Sequence, residues 1–404
     1  MIRTLAVELG DAHVGYLTHL VNDRTVFAFS PEYVENDARP VLSQSFLDDL
    51  GNLREEAQSA RRLAPPFFSN LLPEGGLRTI IARYLRVSPN RDFPLLAYLG
   101  GDLIGAVRLS PTEPIESPAA DALTFALPGV QLKLSALLGE ADYLTIPAHG
   151  AGGDWIVKIS SGQFPGLVEN EFSMLALARM VGIEVPETRI IDASHVQGAP
   201  DAFDLNGKAL AIRRFDRAGG ARIHAEDFNQ AFGQFPHEKY DNRTYSDVAR
   251  LLNERAGFAQ AREFVRRVVF SAAIGNGDMH LKNWSLLYPN GRDPILAPAY
   301  DYVTTLPFAG LDHDLGLSFG KSKSLDVLDE RRLRAFAERA QLPYTMVRRE
   351  ALEMSERVRE AWKHFDGPII EQHRASLDAH ICAFTNRSVR LKGSRLSETG
   401  MNLT

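Results

Sequence analysis

Apolar and polar positions alternate through the first ~30 residues, with turn signals at Gly10-Asp11 and Asn22-Asp23. That is the period of half-buried strands joined by hairpins, so a small antiparallel unit is predicted. Helical spacing then appears at Leu77, Ile80, Ile81 and Tyr84, and Gly105–Leu109 reads as another strand. The polar, proline-rich stretch Ser110 to Ala120 predicts a linker and a domain boundary. Beyond it, Gln131–Leu138 and Trp155–Ile159 read as strands either side of a loop containing Gly150-Ala151-Gly152-Gly153. Val168, Phe172, Leu175, Ala176 and Arg179 predict a helix that Gly182 stops. Strands follow at 187–192, 199–205 and 208–214. Together these segments predict a mixed sheet with one helix packed on it.

From about residue 224 the pattern turns mostly helical. Phe264, Val265, Val268, Val269 and Ala272 form one stripe, ended by Gly275-Asn276-Gly277. Val347, Ala351, Met354, Val358, Ala361, Trp362 and Phe365 form another, closed by Gly367-Pro368. Such stripes are core packing and carry no chemistry. The resulting organisation is an N-terminal subdomain over 1–110, a sheet-rich lobe over 121–217, a helical lobe over 218–390 and a polar tail over 391–404.

Composition narrows this picture without redirecting it. The 404 residues are 45% hydrophobic and 24% charged, typical of a water-soluble globular chain. A net charge of −6 argues against a surface devoted to nucleic acid. A lone cysteine, Cys382, cannot pair within the chain and suits a reducing cytoplasm. No signal peptide opens the sequence and no apolar run nears the ~20 residues of a membrane span, so no membrane role is expected.

The chemistry concentrates in Ile274-Gly275-Asn276-Gly277-Asp278-Met279-His280-Leu281-Lys282-Asn283, followed by Ala299-Tyr300-Asp301. A carboxylate is followed five positions later by an amide, and 18 positions beyond that by a second carboxylate. Phosphoryl transfer from ATP needs this inventory: one carboxylate to deprotonate the attacking hydroxyl, an amide oxygen and another carboxylate to hold Mg²⁺ against the phosphates. Taken alone, Asp278 would read as a turn residue. Trp284–Tyr288 and 295–297 read as flanking strands, and that context makes a metal-site strand–turn–strand. His280 reads equally as a buried structural histidine or a phosphate contact, and Lys282 as a phosphate contact or a solvated lysine.

Lys158 is a cation inside the apolar strand Trp155–Ile159, where an ammonium needs an anion: a phosphate, or Glu169 or Glu171 on the next helix. Alternatively it snorkels from an edge strand. Neither glycine-rich phosphate-loop signature is present. The turn at Pro128-Gly129, before Val130-Gln131-Leu132-Lys133, offers backbone N–H groups instead.

These pieces, in this order, resemble the HipA-family kinases, the toxin half of bacterial toxin–antitoxin pairs. The resemblance runs through Phe67-Phe68-Ser69-Asn70-Leu71-Leu72-Pro73-Glu74-Gly75, Gly101–Ala106 and Leu127–Ser135. It continues through Val157-Lys158, Glu169-Asn170-Glu171, Arg214-Phe215-Asp216-Arg217, the Asp278 loop and Tyr300-Asp301. It implies an α+β, two-lobed protein-kinase-like fold with a mixed-sheet N-terminal lobe and an all-helical C-terminal lobe. By position it makes Asp278 the catalytic base and Asn283 and Asp301 the Mg²⁺ ligands. ATP would be held by Pro128, Gly129, Val130, Gln131, Leu132, Lys133, Lys158, the hinge residues Arg213, Arg214 and Phe215, and His280, Leu281, Lys282, Asn283, Tyr300 and Asp301. Asp216 and Arg217 are expected as a shielded structural ion pair.

The implied activity is a Ser/Thr protein kinase that arrests growth by phosphorylating an aminoacyl-tRNA synthetase. The implied partner is a small helix-turn-helix antitoxin (HipB-like), which alone would contact operator DNA. One departure stands out. Where family members carry a serine three residues before the loop glycine, this chain has Ala126, which cannot accept a phosphoryl group. Regulation through Thr124 or Ser135, or a deliberate Ser→Ala replacement, would each account for it. A small-molecule kinase and a non-catalytic corepressor remain open as rival readings.

Overall fold

The structure is a computed structural model and describes residues 3–113, 133–139, 143–145, 152–159, 164–198, 205–311 and 313–393. It divides into two compact units. One comprises Met1–Val168, Pro186–Lys239 and Ser285–Ala297, the other Glu169–Val185, Tyr240–Trp284 and Pro298–Thr404.

The first unit opens with strands β1 (Thr4–Leu9), β2 (Ala12–Leu20) and β3 (Arg24–Phe29), joined by short turns. In β1, Leu5, Val7 and Leu9 are buried while Thr4, Ala6 and Glu8 are half-exposed, the alternation the sequence predicts. Helix α1 (Pro31–Glu35), strand β4 (Gln58–Arg61), helices α2 (Pro66–Ser69), α3 (Gly75–Tyr84) and α4 (Asp92–Leu99), and strand β5 (Val107–Pro111) complete this part. The sheet is antiparallel in the order β4-β3-β2-β1-β5.

A second sheet is built from β6 (Lys133–Leu138), β7 (Leu144–Thr145), β8 (Trp155–Ile159), β9 (Thr188–Asp192), β10 (Val196–Gln197) and β11 (Lys208–Arg213). Its order is β10-β7-β6-β8-β11-β9, antiparallel except for the parallel pair β10 and β7, so it is mixed, as expected. Leu134, Ala136, Trp155, Val157 and Ile159 join Leu5, Val7, Phe27, Phe67 and Leu96 in one hydrophobic core. That core buries one face of this sheet. The linker expected at 110–120 and the strand expected at 199–205 fall largely outside the described residues.

Helix α5 (Leu167–Met180) forms where its spacing predicts. It does not belong to the unit of the sheet it was expected to cover, because all of it beyond Val168 falls in the second unit. Nor is 218–390 all-helical. After the hairpin β12 (Arg217–Ala218) and β13 (Ala221–Arg222), strand β14 (His224–Asp227) pairs with β15 (Ser285–Tyr288), which pairs with β16 (Ile295–Leu296). Both β14 and β15 are buried at every position. Their sequences therefore lack the two-residue period that marks a half-buried strand. Helix α6 (Phe228–Ala231) follows β14, and this sheet belongs to the first unit.

The second unit is helical around α7 (Tyr245–Arg255), α8 (Phe258–Ala273), α9 (Glu330–Ala340), α10 (Tyr344–Lys363) and α11 (Glu371–Gly393). Here α8 packs on α7 and α10, and α10 on α9 and α11. Its predicted stripe, Phe264, Val265, Val268, Val269 and Ala272, is wholly buried. No helix among the described residues is long and apolar enough to cross a membrane.

Candidate active site

The loop bearing Asp278 begins with the way α8 stops. Gly275 adopts φ +66°, Gly275 N donates to Ala272 O at 3.2 Å, and Asn276 N donates to Ser271 O at 2.9 Å. This pair of bonds is a Schellman motif, in which a left-handed glycine turns the chain sharply off the helix axis. His380 of α11 adds Nε2 against Ala272 O at 2.8 Å. Asn276, fully buried, then accepts Asp278 N on Oδ1 at 3.1 Å and directs its Nδ2 to Asp301 O at 3.3 Å. Thr305 secures the turn through Gly277 N to its Oγ1 (3.1 Å) and its own N to Gly275 O (3.0 Å).

Asp278 is exposed while its neighbours Gly277 and Met279 are buried, so the turn presents this carboxylate outward. Asn283 closes the loop, its Nδ2 donating to Asp278 O at 2.7 Å. Tyr300 Oη donates to Lys282 O at 3.0 Å, which ties the second acidic segment to the same loop. Asp301 sits at φ +55°, in the left-handed region that aspartate enters more readily than most residues. Within this unit, hydrogen bonds link the loops that carry Asp278, Asn283 and Asp301.

Not every residue singled out in this loop faces a ligand. Leu281 is fully buried, and its side chain serves the core. Lys282 is only 7% exposed, which removes the reading of a solvated lysine. His280 is buried, and its ring meets Tyr240 edge-on with centroids 4.9 Å apart.

The cationic half of the inventory lies in the first unit. Lys158 on β8 is 3% exposed and lies on a central strand, so it is not an edge-strand lysine reaching for water. Its cross-strand partner on β6 is Lys133, also buried, and its partner on β11 is Leu210. By strand alternation both lysines lie on the face opposite the Trp155–Val157–Ile159 core, sharing it with Ser135, Ile156, Leu210 and Ile212. Glu169 and Glu171, the alternative anions, sit on α5 in the second unit.

At the expected hinge the structure corrects the sequence reading. Arg214 has no exposed side chain: its Nε and Nη2 bind Asp216 at 2.9 and 2.8 Å, and its Nη1 reaches Asp102 at 3.2 Å. Nη2 also donates to Leu103 O at 3.1 Å and Nη1 to Ser135 Oγ at 3.3 Å. A guanidinium with all its donors so engaged cannot reach a nucleotide base. Burial alone would lower its pKa, but Asp216 and Asp102 hold it above the ordinary arginine value. Asp216, though burial opposes its charge, is kept below the usual carboxylate range by Arg214 and Arg217. Asp216 and Arg217 do form the expected shielded pair, at 2.8 Å. Arg213 is half-exposed and lies 3.7 Å from Glu187, and Phe215 packs against Ala225, Leu287 and Ala297.

Ser135 is fully buried and accepts Gly153 N at 2.9 Å, so its hydroxyl is not open to modification. Thr124, Ala126, Pro128, Gly129, Val130, Gln131 and Leu132 lie outside the described residues. Two residues were given no role by sequence reasoning. Asn170 clasps the segment after Asp301, donating to Thr304 O at 3.1 Å and accepting Thr304 N at 2.9 Å. It sits between the two glutamates that drew attention. Tyr240, whose Oη donates to Asp278 Oδ1 at 2.5 Å, lies in a polar run without periodicity.

Comparison with known proteins agrees over nearly the whole length. The HipA N-terminal domain matches residues 5–110 and the HipA-like C-terminal domain residues 125–362. Y4dM of Sinorhizobium fredii (strain NBRC 101917 / NGR234) is 44% identical over 375 residues, covering 90% of this chain and 92% of that one. Y4mE of the same organism is 31% identical over 403 residues, covering 89% and 91%. Both carry the name of a kinase. Among solved structures, HipA of Shewanella oneidensis MR-1, in complex with HipB and operator DNA, matches with a TM-score of 0.75. That match covers 96% of this chain and 97% of the other at 20% identity, a likeness of fold.

Proposed function

This chain belongs to the HipA family, and on that premise we propose that it is a toxin kinase that transfers the γ-phosphoryl group of ATP to a serine or threonine of a protein. The observation that carries the reading is the Asn283 Nδ2 to Asp278 O bond at 2.7 Å, with Asn276 joining the same loop to Asp301 O. It supports one device in which a base and two oxygen donors are mutually fixed.

In this reading Asp278 orients the acceptor hydroxyl and takes its proton as the bond to the γ-phosphorus forms and ADP leaves. Among the described residues no group of three or more His, Cys, Asp or Glu gathers to hold a metal. An Mg²⁺ site of this class does not need one, because phosphate oxygens and water complete its octahedron. Asn283 Oδ1 and the Asp301 carboxylate are the hard oxygen donors that fit. The ion, when bound, supplies charge neutralisation at the phosphates. Lys158 and Lys133 offer the ammonium groups for the polyphosphate. Arg213, Phe215, His280, Lys282 and Tyr300 would contribute to the nucleotide's surroundings, Arg214 only through its backbone.

The acceptor we propose is a serine in the ATP-binding loop of an aminoacyl-tRNA synthetase, whose modification would halt translation and growth. A small helix-turn-helix antitoxin would neutralise the kinase and carry any contact with operator DNA. The test is brief induction followed by phosphopeptide mass spectrometry, beside an Asp278→Gln variant. A dominant synthetase phosphoserine, absent in Asp278→Gln, is expected. Equal toxicity of Asp278→Gln, or γ-label appearing only in small molecules, would overturn the reading.

A further inference from the structure

Asp278 already has an O–H donor. Tyr240 Oη donates to Asp278 Oδ1 at 2.5 Å, and the tyrosine ring stands at 80° to the His280 ring. A general base must meet its acceptor hydroxyl in the same way, an O–H held within hydrogen-bond reach of a carboxylate oxygen. Tyr240 therefore makes the contact that a substrate serine or threonine has to make.

The surroundings allow that contact to be exchanged. Tyr240 is 38% exposed and opens an exposed run through Asp241 and Asn242. A few residues on, the chain is pinned: Thr244 caps α7, and Tyr245, fully buried, donates to Met279 O at 2.8 Å. The tyrosine thus opens a short exposed segment whose other end is fixed to the Asp278 loop through Tyr245.

We infer that Tyr240 is an internal stand-in for the acceptor hydroxyl, a gate that occupies Asp278 until a protein substrate displaces it. The inference rests on the reading of Asp278 as the base. It has a chemical consequence. Water is the acceptor always at hand, and while the phenol holds Asp278 Oδ1, water is denied that oxygen and ATP is protected from futile hydrolysis. A hydroxyl presented by a docked protein, held by contacts elsewhere, can displace the phenol where water cannot. The gate makes the enzyme selective for acceptors that bring binding energy of their own.

The experiment measures ADP release from MgATP, with no added acceptor, by the full-length protein and by Tyr240→Phe, Tyr240→Ala, Asp278→Asn and the double variant Tyr240→Phe/Asp278→Asn. Losing one hydrogen bond to a charged group predicts a gain on the order of ten-fold in Tyr240→Phe and Tyr240→Ala, at unchanged KM for ATP. That gain should vanish in the double variant. A structural role would instead slow turnover or raise KM. Unchanged or reduced turnover in both tyrosine variants, with Asp278→Asn inactive, overturns the gate and leaves the base standing. ADP release that survives Asp278→Asn overturns the base itself. Phosphate recovered on Tyr240 would also overturn the gate, since the residue would then be an acceptor.

Discussion

Replacing Glu226 by glutamine should stabilise this protein, and increasingly so as the pH rises. Glu226 lies on β14 with no exposed surface, and its Oε1 accepts Gln44 N at 3.0 Å and Tyr288 Oη at 2.5 Å. Burial pushes its carboxyl up to about 7, against the lowering effect of those hydrogen bonds and with some help from neighbouring Asp227. The unfolded chain loses this proton near 4.5 while the folded chain keeps it to about 7. Between those values the folded state binds the extra proton, so stability falls as pH rises. At about 1.4 kcal/mol per unit, the shift corresponds to roughly 3 kcal/mol lost by neutral pH.

His224, two residues earlier, acts in the opposite sense: burial pushes it down to about 4, so its contribution is complete above 6.5 and lost as pH falls from there towards 4. Its Nε2 contact with Leu42 O and its stacking on Tyr288 remain in the variant, so its effect cancels in a difference. Glutamine keeps an Oε1 acceptor for Tyr288 and Gln44 without a proton to lose. Urea unfolding of both proteins at pH 5, 6, 7 and 8 should show Glu226→Gln gaining on the parent by about 2.5 kcal/mol over the series, nearly all of it below pH 7.5. A stability difference constant across the series would refute the argument.

Two further substitutions probe the frame of the candidate site. Arg214→Met leaves Asp102 and Asp216 buried with only Arg217 and Arg222 to answer them; a loss of about 3–5 kcal/mol is expected from the urea midpoint, and a loss below 1 kcal/mol would mean the network is dispensable. Gly275→Ala puts a Cβ within 2.5 Å of the Leu306 side chain at a left-handed φ; it should cost about 2–4 kcal/mol in the same assay and lower phosphoryl transfer by more than the fraction unfolded explains, because the turn aims Asp278. Full activity in the folded fraction would separate the turn from the chemistry.

How much of this was legible in the sequence depended on whether a residue's role is local. The geometry of the Asp278 loop was readable because a glycine stop and a turn are written consecutively in the chain. The strands β6, β8, β9 and β11 were readable as short runs rich in apolar residues between turns. Legibility failed at β14, where every position is buried and no alternation shows; β15 and β16 lie where strands were expected, at Trp284–Tyr288 and 295–297. It failed again where a charge finds its partner at long range. Arg214, placed at the hinge by the family resemblance, finds one of its two carboxylates at Asp102, 112 positions away, and nothing in either local sequence announces that pairing.

The same reasoning explains why Asn170 and Tyr240 were missed, since each acts on a loop reached only through folding: Asn170 on Thr304, 134 positions distant, and Tyr240 on Asp278, 38 distant. The residues that perform the proposed chemistry are thus signalled by spacing. The residues that hold and restrain it are signalled only by the fold.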